Sequence, residues 1–467
     1  MNPNGSGALQ SIHAVSGVFD LWQADKSTRA ITGKMWRDRN MLNSFSKPES
    51  CDEEIMMAQI LDKALARGFA PDALTQRPAA LMLILVLAGC QPVSHDWQQD
   101  IYIWQRSWGA SSAQAVDGLS PEIVRHRILV GQWGAAGQSE FQLDLGPILE
   151  ALPSRNVVPV LRLDGTRLPV SPRQALDRAL EVITALRGAG VRVSALEVDH
   201  DTATAAVGDY AVWLQAVRDG LPADLALWVT TLPDWRHSPE ITMLLASVDA
   251  YTLQVHAVLG NREGLMDMGL ARQWVADFSA LSNTGFFVAL PTYQLRAGLD
   301  LAGGLRFLEA EAPVPARSAD ERFLFVSPAG LSEWVAALRR SRPDNLLGLA
   351  WFRLPIAEDR ANISLGTLNA LVEGRPIQAA LELLAEPVRV GAMTYDLSWV
   401  NHGPHDAAWP AEVALPAGCS TGGGANGFQI DRSAEQLRHS RPGLLRPGDR
   451  IGAGWVRCVA GWPKGEE

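Results

Sequence analysis

Three carboxylates stand at alternate positions near the middle of the chain. Glu197, Asp199 and Asp201 lie at the end of a β-rich run that begins at Val191. Because successive side chains of a strand point to opposite faces, this spacing directs all three to one side. Crowded carboxylates repel one another, which raises the pKa of at least one of them toward the range of a general acid. The triplet predicts acid–base catalysis, with Asp201 as proton donor, Asp199 as stabilising carboxylate and Glu197 as a partner for Arg or His; a solvated acidic turn or a cation site is the alternative.

Polar and aromatic side chains close the other β-rich runs. His256 ends one run and Tyr293 ends the next, so both join the predicted catalytic set. A His in that place can orient a carboxylate or transfer a proton, although a purely structural His fits equally well. Tryptophan faces suit stacking on sugar rings, with packing between elements as the alternative. The predicted substrate contacts are Trp104, Arg106, Trp133, Asp164, Gln254, Trp351 and Arg353.

Eight short β-rich runs alternate with amphipathic helical stretches, a pattern typical of a parallel sheet with crossover helices. Serine followed by proline predicts helix starts at Ser120, Ser171 and Ser238. We expect an α/β fold, a (β/α)8 TIM barrel over residues 98–375, whose active site lies at the carboxyl ends of the strands. A doubly wound open sheet is the alternative. The runs are 100–105, 127–133, 156–163, 191–199, 226–232, 250–256, 286–293 and 346–353.

The first ninety residues differ from the rest of the chain. Four of the five lysines lie in residues 1–77, and the fifth is Lys464. Residues 78–90 form an apolar run that is too short for a spanning helix but fits a secretory signal. Residues 1–77 are therefore interpreted as an extension that is either disordered or precedes the true translation start.

The end of that apolar run, Leu87-Ala88-Gly89-Cys90, resembles the lipobox of bacterial lipoproteins. The resemblance implies acylation of Cys90, the lipid bilayer as a partner, and a place in the cell envelope, on the outer membrane facing the periplasm. A buried apolar segment with an incidental cysteine is the alternative.

From residue 376 to 467 the helical periodicity fades, and short strands separated by Gly and Pro predict a small C-terminal β-sandwich domain. Cys419 and Cys458 both lie in it. In an oxidising periplasm we expect them to form a disulfide, with two free thiols as the alternative.

Composition excludes several function classes. A net charge of −10 without a basic run argues against a nucleic-acid partner. Residues 91–463 contain no lysine, which excludes Schiff-base and P-loop chemistry there. We expect neither a cofactor nor a metal.

Several segments resemble a bacterial family known as domain of unknown function 3142. The segments are 102–106, 196–201, 253–256, 289–293 and 446–458, so the resemblance spans about residues 90–460. It implies a glycoside-hydrolase-like barrel on a secreted lipoprotein. The spacing Ser194-x-x-Glu197-x-Asp199-x-Asp201 is also similar to the Asp-x-x-Asp-x-Asp-x-Glu signature of chitinase-type barrels, with three of its four residues replaced. The predicted function is hydrolysis or binding of a bacterial glycan by a lipid-anchored envelope protein; the alternative is a non-catalytic glycan-binding or envelope-assembly lipoprotein.

Overall fold

The structure, a computed structural model, describes residues 96–152, 155–256, 264–299, 305–309, 321–439 and 443–463. The predicted extension, the signal segment and Cys90 lie outside these ranges. Among the described helices, none has both the length and the apolar character needed to cross a membrane.

Eight parallel strands form a closed ring. They are β1 (Gln98–Ile103), β2 (Ile123–Trp133), β3 (Asn156–Leu163), β4 (Ala195–His200), β5 (Ala226–Thr231), β6 (Ala250–Gln254), β7 (Gly285–Pro291) and β8 (Leu346–Phe352). Each strand pairs with the next one along the chain, and β1 also pairs with β8, with Ile101 opposite Trp351. This closure leaves neither β1 nor β8 as an edge strand. The predicted (β/α)8 barrel is confirmed, and the open-sheet alternative is excluded.

Helices connect the strands and pack around the ring. They are α1 (Ala110–Asp117), α2 (Gly146–Ala151), α3 (Pro172–Gly188), α4 (Val207–Gly220), α5 (Ile241–Ala246), α6 (Met268–Leu281), α7 (Pro328–Arg340) and α8 (Leu365–Val372). Ser171 begins α3 in a capping box with Gln174. The predicted helix start at Ser120 is wrong, because the chain turns there and enters β2 three residues later.

Several short strands lie outside the ring of eight. Ser139–Gln142 pairs antiparallel with β2, and Arg192–Val193 pairs with β3. Between β7 and α7, three antiparallel strands form a separate sheet: Leu295–Leu299, Leu305–Glu309 and Glu321–Leu324. Two short 3-10 turns, Thr204–Ala206 and Pro233–His237, follow β4 and β5.

The C-terminal region consists of small antiparallel sheets. Its main sheet has the order β9 (Leu381–Pro387), β10 (Thr394–Asn401), β12 (Arg450–Arg457) and β11 (Thr421–Gly424). A second sheet contains Glu412–Ala414, Gln436–His439 and Phe428–Asp431, and Ala407–Ala408 pairs with Leu444–Leu445. Trp399 of the main sheet and Phe428 of the second sheet bury their rings in one shared core. Cys419 and Cys458 form a disulfide in that core, with their Cα atoms 4.0 Å apart.

Two side chains of the C-terminal region bind the end of the barrel. The Asp406 carboxylate accepts hydrogen bonds from the Ser364 backbone N–H (2.8 Å) and from the Thr367 hydroxyl (2.6 Å), at the first turn of α8. The Arg446 guanidinium donates to the backbone carbonyls of Ala357, Asp359 and Asn362, in the segment between β8 and α8. The C-terminal region therefore supports the last βα connection of the barrel.

Candidate functional site

A cavity opens at the carboxyl ends of the barrel strands. Parallel barrels place the loops and side chains that vary most at this end, which is where their active sites occur. The cavity contains two carboxylates, two guanidinium groups and an aromatic wall. It is lined by Tyr102, Trp104, Arg106, Gln132, Arg162, Asp199, Asp201, Thr230, Gln254, His256, Ala289, Tyr293 and Phe352.

Arg162, near the end of β3, binds three aspartates at once. Its Nη1 lies 2.9 Å from Asp199 Oδ2, its Nη2 lies 2.6 Å from Asp201 Oδ2, and its Nε lies 2.9 Å from Asp164 Oδ1. All four side chains are nearly buried, with at most 10% of each exposed. One positive charge is therefore shared among three carboxylates in a place that water reaches poorly.

The pKa of Asp199 reflects this arrangement of one cation and three carboxylates. Burial raises its pKa to about 7; the Arg162 charge opposes that shift, while the neighbouring Asp201 adds to it. Its second oxygen, Oδ1, is buried without a hydrogen-bond partner among the described residues. Asp199 can therefore hold a proton in neutral solution, as a general acid must.

Glu197 points into the barrel below the cavity. Its Oε1 accepts hydrogen bonds from the Tyr102 hydroxyl (2.7 Å), from Arg127 Nη1 (3.0 Å) and from the Thr252 hydroxyl (3.0 Å). The sequence predicted an Arg or His partner, such as His256, and the partner present is Arg127. Because Tyr102 lines the cavity, Glu197 orients one of its aromatic walls instead of contacting a ligand itself.

The aromatic wall lies beside the acidic group. Trp104 and Phe352 meet edge to face with their centroids 5.1 Å apart, and Tyr293 meets Phe352 at 5.6 Å. His256 is stacked near Phe352 at 5.9 Å. Burial lowers the pKa of His256 to about 4, so its ring is neutral at physiological pH. The wall presents uncharged aromatic faces of the kind on which sugar rings stack.

Residues 153–357 match the family model described as "Domain of unknown function (DUF3142)". The predicted resemblance to this family is confirmed over these residues. The match covers the strands from β3 to β8, and it includes Arg162, Asp199 and Asp201. A second model, "Domain of unknown function (DUF8456)", matches residues 386–459 in the C-terminal sheets. No curated protein matches the chain by sequence.

Several solved structures are similar in fold. The spore cortex-lytic enzyme SleL of Bacillus cereus is 10% identical, with 60% of this chain and 75% of that chain covered and a TM-score of 0.43. A chitinase from Chromobacterium violaceum is 13% identical, with 60% and 98% covered and a TM-score of 0.39. The class V chitinase from Nicotiana tobaccum is 13% identical, with 59% and 98% covered and a TM-score of 0.41.

The barrel brings most of the sequence-predicted residues together. Seven of them line the cavity: Trp104, Arg106, Asp199, Asp201, Gln254, His256 and Tyr293. Asp164 lies directly behind it, bound to Arg162 and to Gln132. Arg353 does not line the cavity; its guanidinium pairs with Asp359 at 2.7 Å.

Trp133 and Trp351 are placed differently from the expectation. Both belong to the core between the strands and the helices, and Trp351 is fully buried with its Nε1 donating to Gln99 Oε1 at 3.2 Å. The side chains that face the cavity are their chain neighbours Gln132 and Phe352. In β2 the cause is an irregularity between Leu129 and Gly131, which shifts the alternation by one residue.

The predicted site lacked four polar or aromatic residues of the cavity wall besides Phe352, namely Tyr102, Gln132, Arg162 and Thr230. Tyr102 carries a usable signal, because it stands two residues before Trp104 on the same face of a strand. Gln132 and Thr230 lie inside apolar runs and carry none. Within the described ranges, no cluster of three His, Cys, Asp or Glu side chains could hold a metal ion.

Proposed function

We propose that the barrel binds a glycan in this cavity and hydrolyses it. The observation that carries the proposal is the juxtaposition of the acidic pair Asp199 and Asp201 with the aromatic wall of Trp104, Tyr293 and Phe352. Carbohydrate sites combine a flat aromatic surface for the sugar ring with a few convergent polar groups. Glycoside cleavage additionally needs a carboxyl group that keeps its proton near neutral pH.

Asp199 and Asp201 act in this proposal as one acid unit. Arg162 bonds to an oxygen of each, and Asp199 holds the proton because of its raised pKa. The sequence-based assignment gave the proton to Asp201; in a coupled pair the proton belongs to the pair, and the geometry favours its residence on Asp199. The pair donates it to the oxygen of the breaking glycosidic bond, and a water molecule forms the new bond to the sugar carbon that this oxygen leaves.

The experiment compares Asp199→Asn and Asp201→Asn with the parent protein on a broad panel of glycans. Loss of a general acid lowers turnover by about 10² to 10⁴-fold, whereas loss of a binding contact mainly weakens affinity. Lost turnover with retained binding in Asp199→Asn supports the proposal. Unchanged turnover in both variants contradicts it.

A second candidate function is glycan binding without catalysis. Both carboxylates of the cavity are engaged by Arg162, and no third carboxylate of the described residues lines the cavity opposite them. Glycosidases that use two carboxyl groups need one of them opposite the proton donor, across the bond that breaks. Binding of a glycan by the parent protein, with no turnover across the panel, would favour this candidate.

We also propose that the chain is a lipoprotein of the cell envelope, anchored through Cys90. The support is the sequence Leu87-Ala88-Gly89-Cys90 after an apolar run. Mass spectrometry of membrane-extracted protein is expected to show an acylated peptide that begins at Cys90. Abundant mature protein that retains Met1 would contradict the proposal.

A further inference from the structure

Arg106 is the second guanidinium of the cavity, and its environment differs from that of Arg162. It follows β1 on an exposed segment, and its Nη2 donates to the Gln132 side-chain oxygen at 2.7 Å. Its Cζ lies 5.8 Å from the centre of the Phe141 ring. Within the described ranges no carboxylate forms an ion pair with it, so its charge faces the cavity without a counter-ion from these residues.

A line of hydrogen bonds holds Arg106 in position. Gln132 Nε2 donates to Asp164 Oδ2 at 2.6 Å, and the other oxygen of Asp164 accepts from Arg162. Gln132 Nε2 also lies 3.4 Å from a carboxylate oxygen of Glu140. These bonds fix the amide of Gln132 so that its oxygen points at Arg106. A guanidinium that is oriented in advance loses less side-chain entropy when it binds a ligand.

The charges of the cavity therefore differ in burial, and the buried side is called the inner end and the exposed side the outer end. The inner end holds Asp199 and Asp201, with Arg162 between them. The outer end holds Arg106. The remaining wall carries no charge at neutral pH, because it consists of aromatic and neutral polar residues and of the neutral His256.

We propose that Arg106 binds an anionic group of the glycan, so that the ligand of this cavity is an acidic saccharide carrying carboxylate or sulfate groups. The inference rests on the proposed glycan-binding function and adds the substrate class. A guanidinium presents parallel N–H donors that match the two oxygens of a carboxylate or sulfate. The anionic sugar lies at the Arg106 end, because the carboxylates at the inner end would repel it.

The test measures binding by calorimetry of the full chain with matched pairs of oligosaccharides. One pair is an oligouronide and its carboxyl-reduced form, and the other is a sulfated oligosaccharide and its desulfated form. We expect the parent to bind one acidic member at least tenfold more tightly than its neutral partner. Arg106→Gln is expected to abolish that preference, and Arg106→Lys is expected to keep part of it.

Arg173→Gln is the matched control, because Arg173 is 80% exposed on α3 and paired with Asp177. It removes the same charge away from the cavity and should leave the preference unchanged. Equal binding of acidic and neutral partners by the parent would overturn the inference and leave the proposed function standing. If Arg106→Gln weakens the binding of both members of a pair equally, the inference is also overturned and the proposed function stands. Failure of the parent to bind any saccharide would overturn both.

Discussion

Asp199 directs one carboxylate oxygen to Arg162, 2.9 Å from Nη1, while its other oxygen is buried without a hydrogen-bond partner among the described residues. A buried oxygen without a donor disfavours the charged form, and the shared guanidinium compensates only part of that cost. Proton binding at Asp199 is therefore linked to folding stability as well as to chemistry.

The first prediction concerns pH. An unfolded Asp has a pKa of about 3.9, and burial raises that of Asp199 to about 7. Between these values the folded state binds the proton more tightly. The stabilisation is therefore fully present below about pH 4 and is lost as the pH rises through about 7. We expect the Tm of the parent to fall more steeply from pH 5 to pH 8 than that of Asp199→Asn. The exposed Asp177→Asn should follow the parent, and equal slopes in all three proteins would contradict the prediction.

The second prediction concerns the Arg162 cluster. Arg162→Met leaves the buried carboxylates of Asp164, Asp199 and Asp201 without their cation, which typically costs about 3–5 kcal/mol. Arg162→Lys should recover only part of this loss, because one ammonium cannot match three carboxylates in fixed directions. Urea unfolding near pH 8 measures both, with Arg173→Met as the exposed control. A loss no larger than that of the control would count against a stabilising role.

The third prediction concerns the aromatic wall. Trp104→Ala removes a ring that is in contact with Tyr102 and Phe352, and it should weaken glycan binding about tenfold while leaving the fold intact. Trp455→Ala is the control, since Trp455 is 43% exposed on the C-terminal sheet. Titration of a bound saccharide measures the effect. Equal affinities of parent and Trp104→Ala would argue against stacking at this position.

The fourth prediction concerns the disulfide. Cys419 and Cys458 are 39 positions apart, and a loop of that length corresponds to roughly 4 kcal/mol in the chain-entropy model. The double variant Cys419→Ser, Cys458→Ser should unfold at a lower temperature than the oxidised parent and no longer respond to reductant. Non-reducing peptide mapping of the parent must show the cross-linked peptide. Alkylation of both thiols without reductant would disprove the bond.

The fifth prediction concerns the contact between the C-terminal region and the barrel. Asp406→Ala removes the acceptor used by Ser364 and Thr367, which we expect to cost about 1–3 kcal/mol. Asp449→Ala removes a more exposed pair with Arg360 and should cost less than about 1 kcal/mol. Thermal unfolding of the two variants gives the comparison. Similar losses would mean that Asp406 is not the stronger contact.

The sequence predicted the barrel because its strands are separated by clear breaks. Asn156–Leu163 was predicted with both ends correct, since Pro153 and Gly165 flank it closely. Helix starts were less certain. Ser171 has Gln174 three positions later to complete a capping box, whereas Ser120 has the apolar Ile123 there and initiates a turn instead.

The residues that face the cavity could be predicted in strands where polar residues occupy alternate positions. They could not be predicted in strands where the alternating residues are all apolar. Asp199 with Asp201, and Gln254 with His256, reveal which face is the inner one. β8 is apolar on both faces, as parallel strands usually are, so its alternation carries no such signal. In β2, Arg125 and Arg127 do alternate, but the irregularity between Leu129 and Gly131 shifts the alternation before Trp133 is reached. Trp133 and Trp351 were chosen for their chemistry, and the neighbouring residues occupy the cavity wall.

The hydrogen bonds of Asp406 to the start of α8 form late, because of the order in which the chain is synthesised. A ribosome releases β1 roughly 250 residues before β8, its partner in the closed ring, and Asp406 follows later still. One edge of β1 therefore stays unpaired until β8 has been synthesised, and an unpaired strand edge is prone to aggregation. Even after β8 emerges, Ser364 and Thr367 at the first turn of α8 lack the Asp406 carboxylate until the C-terminal sheets begin to form. Translation that stops near residue 375 would thus yield a barrel with every strand present but without this contact at the start of its last helix.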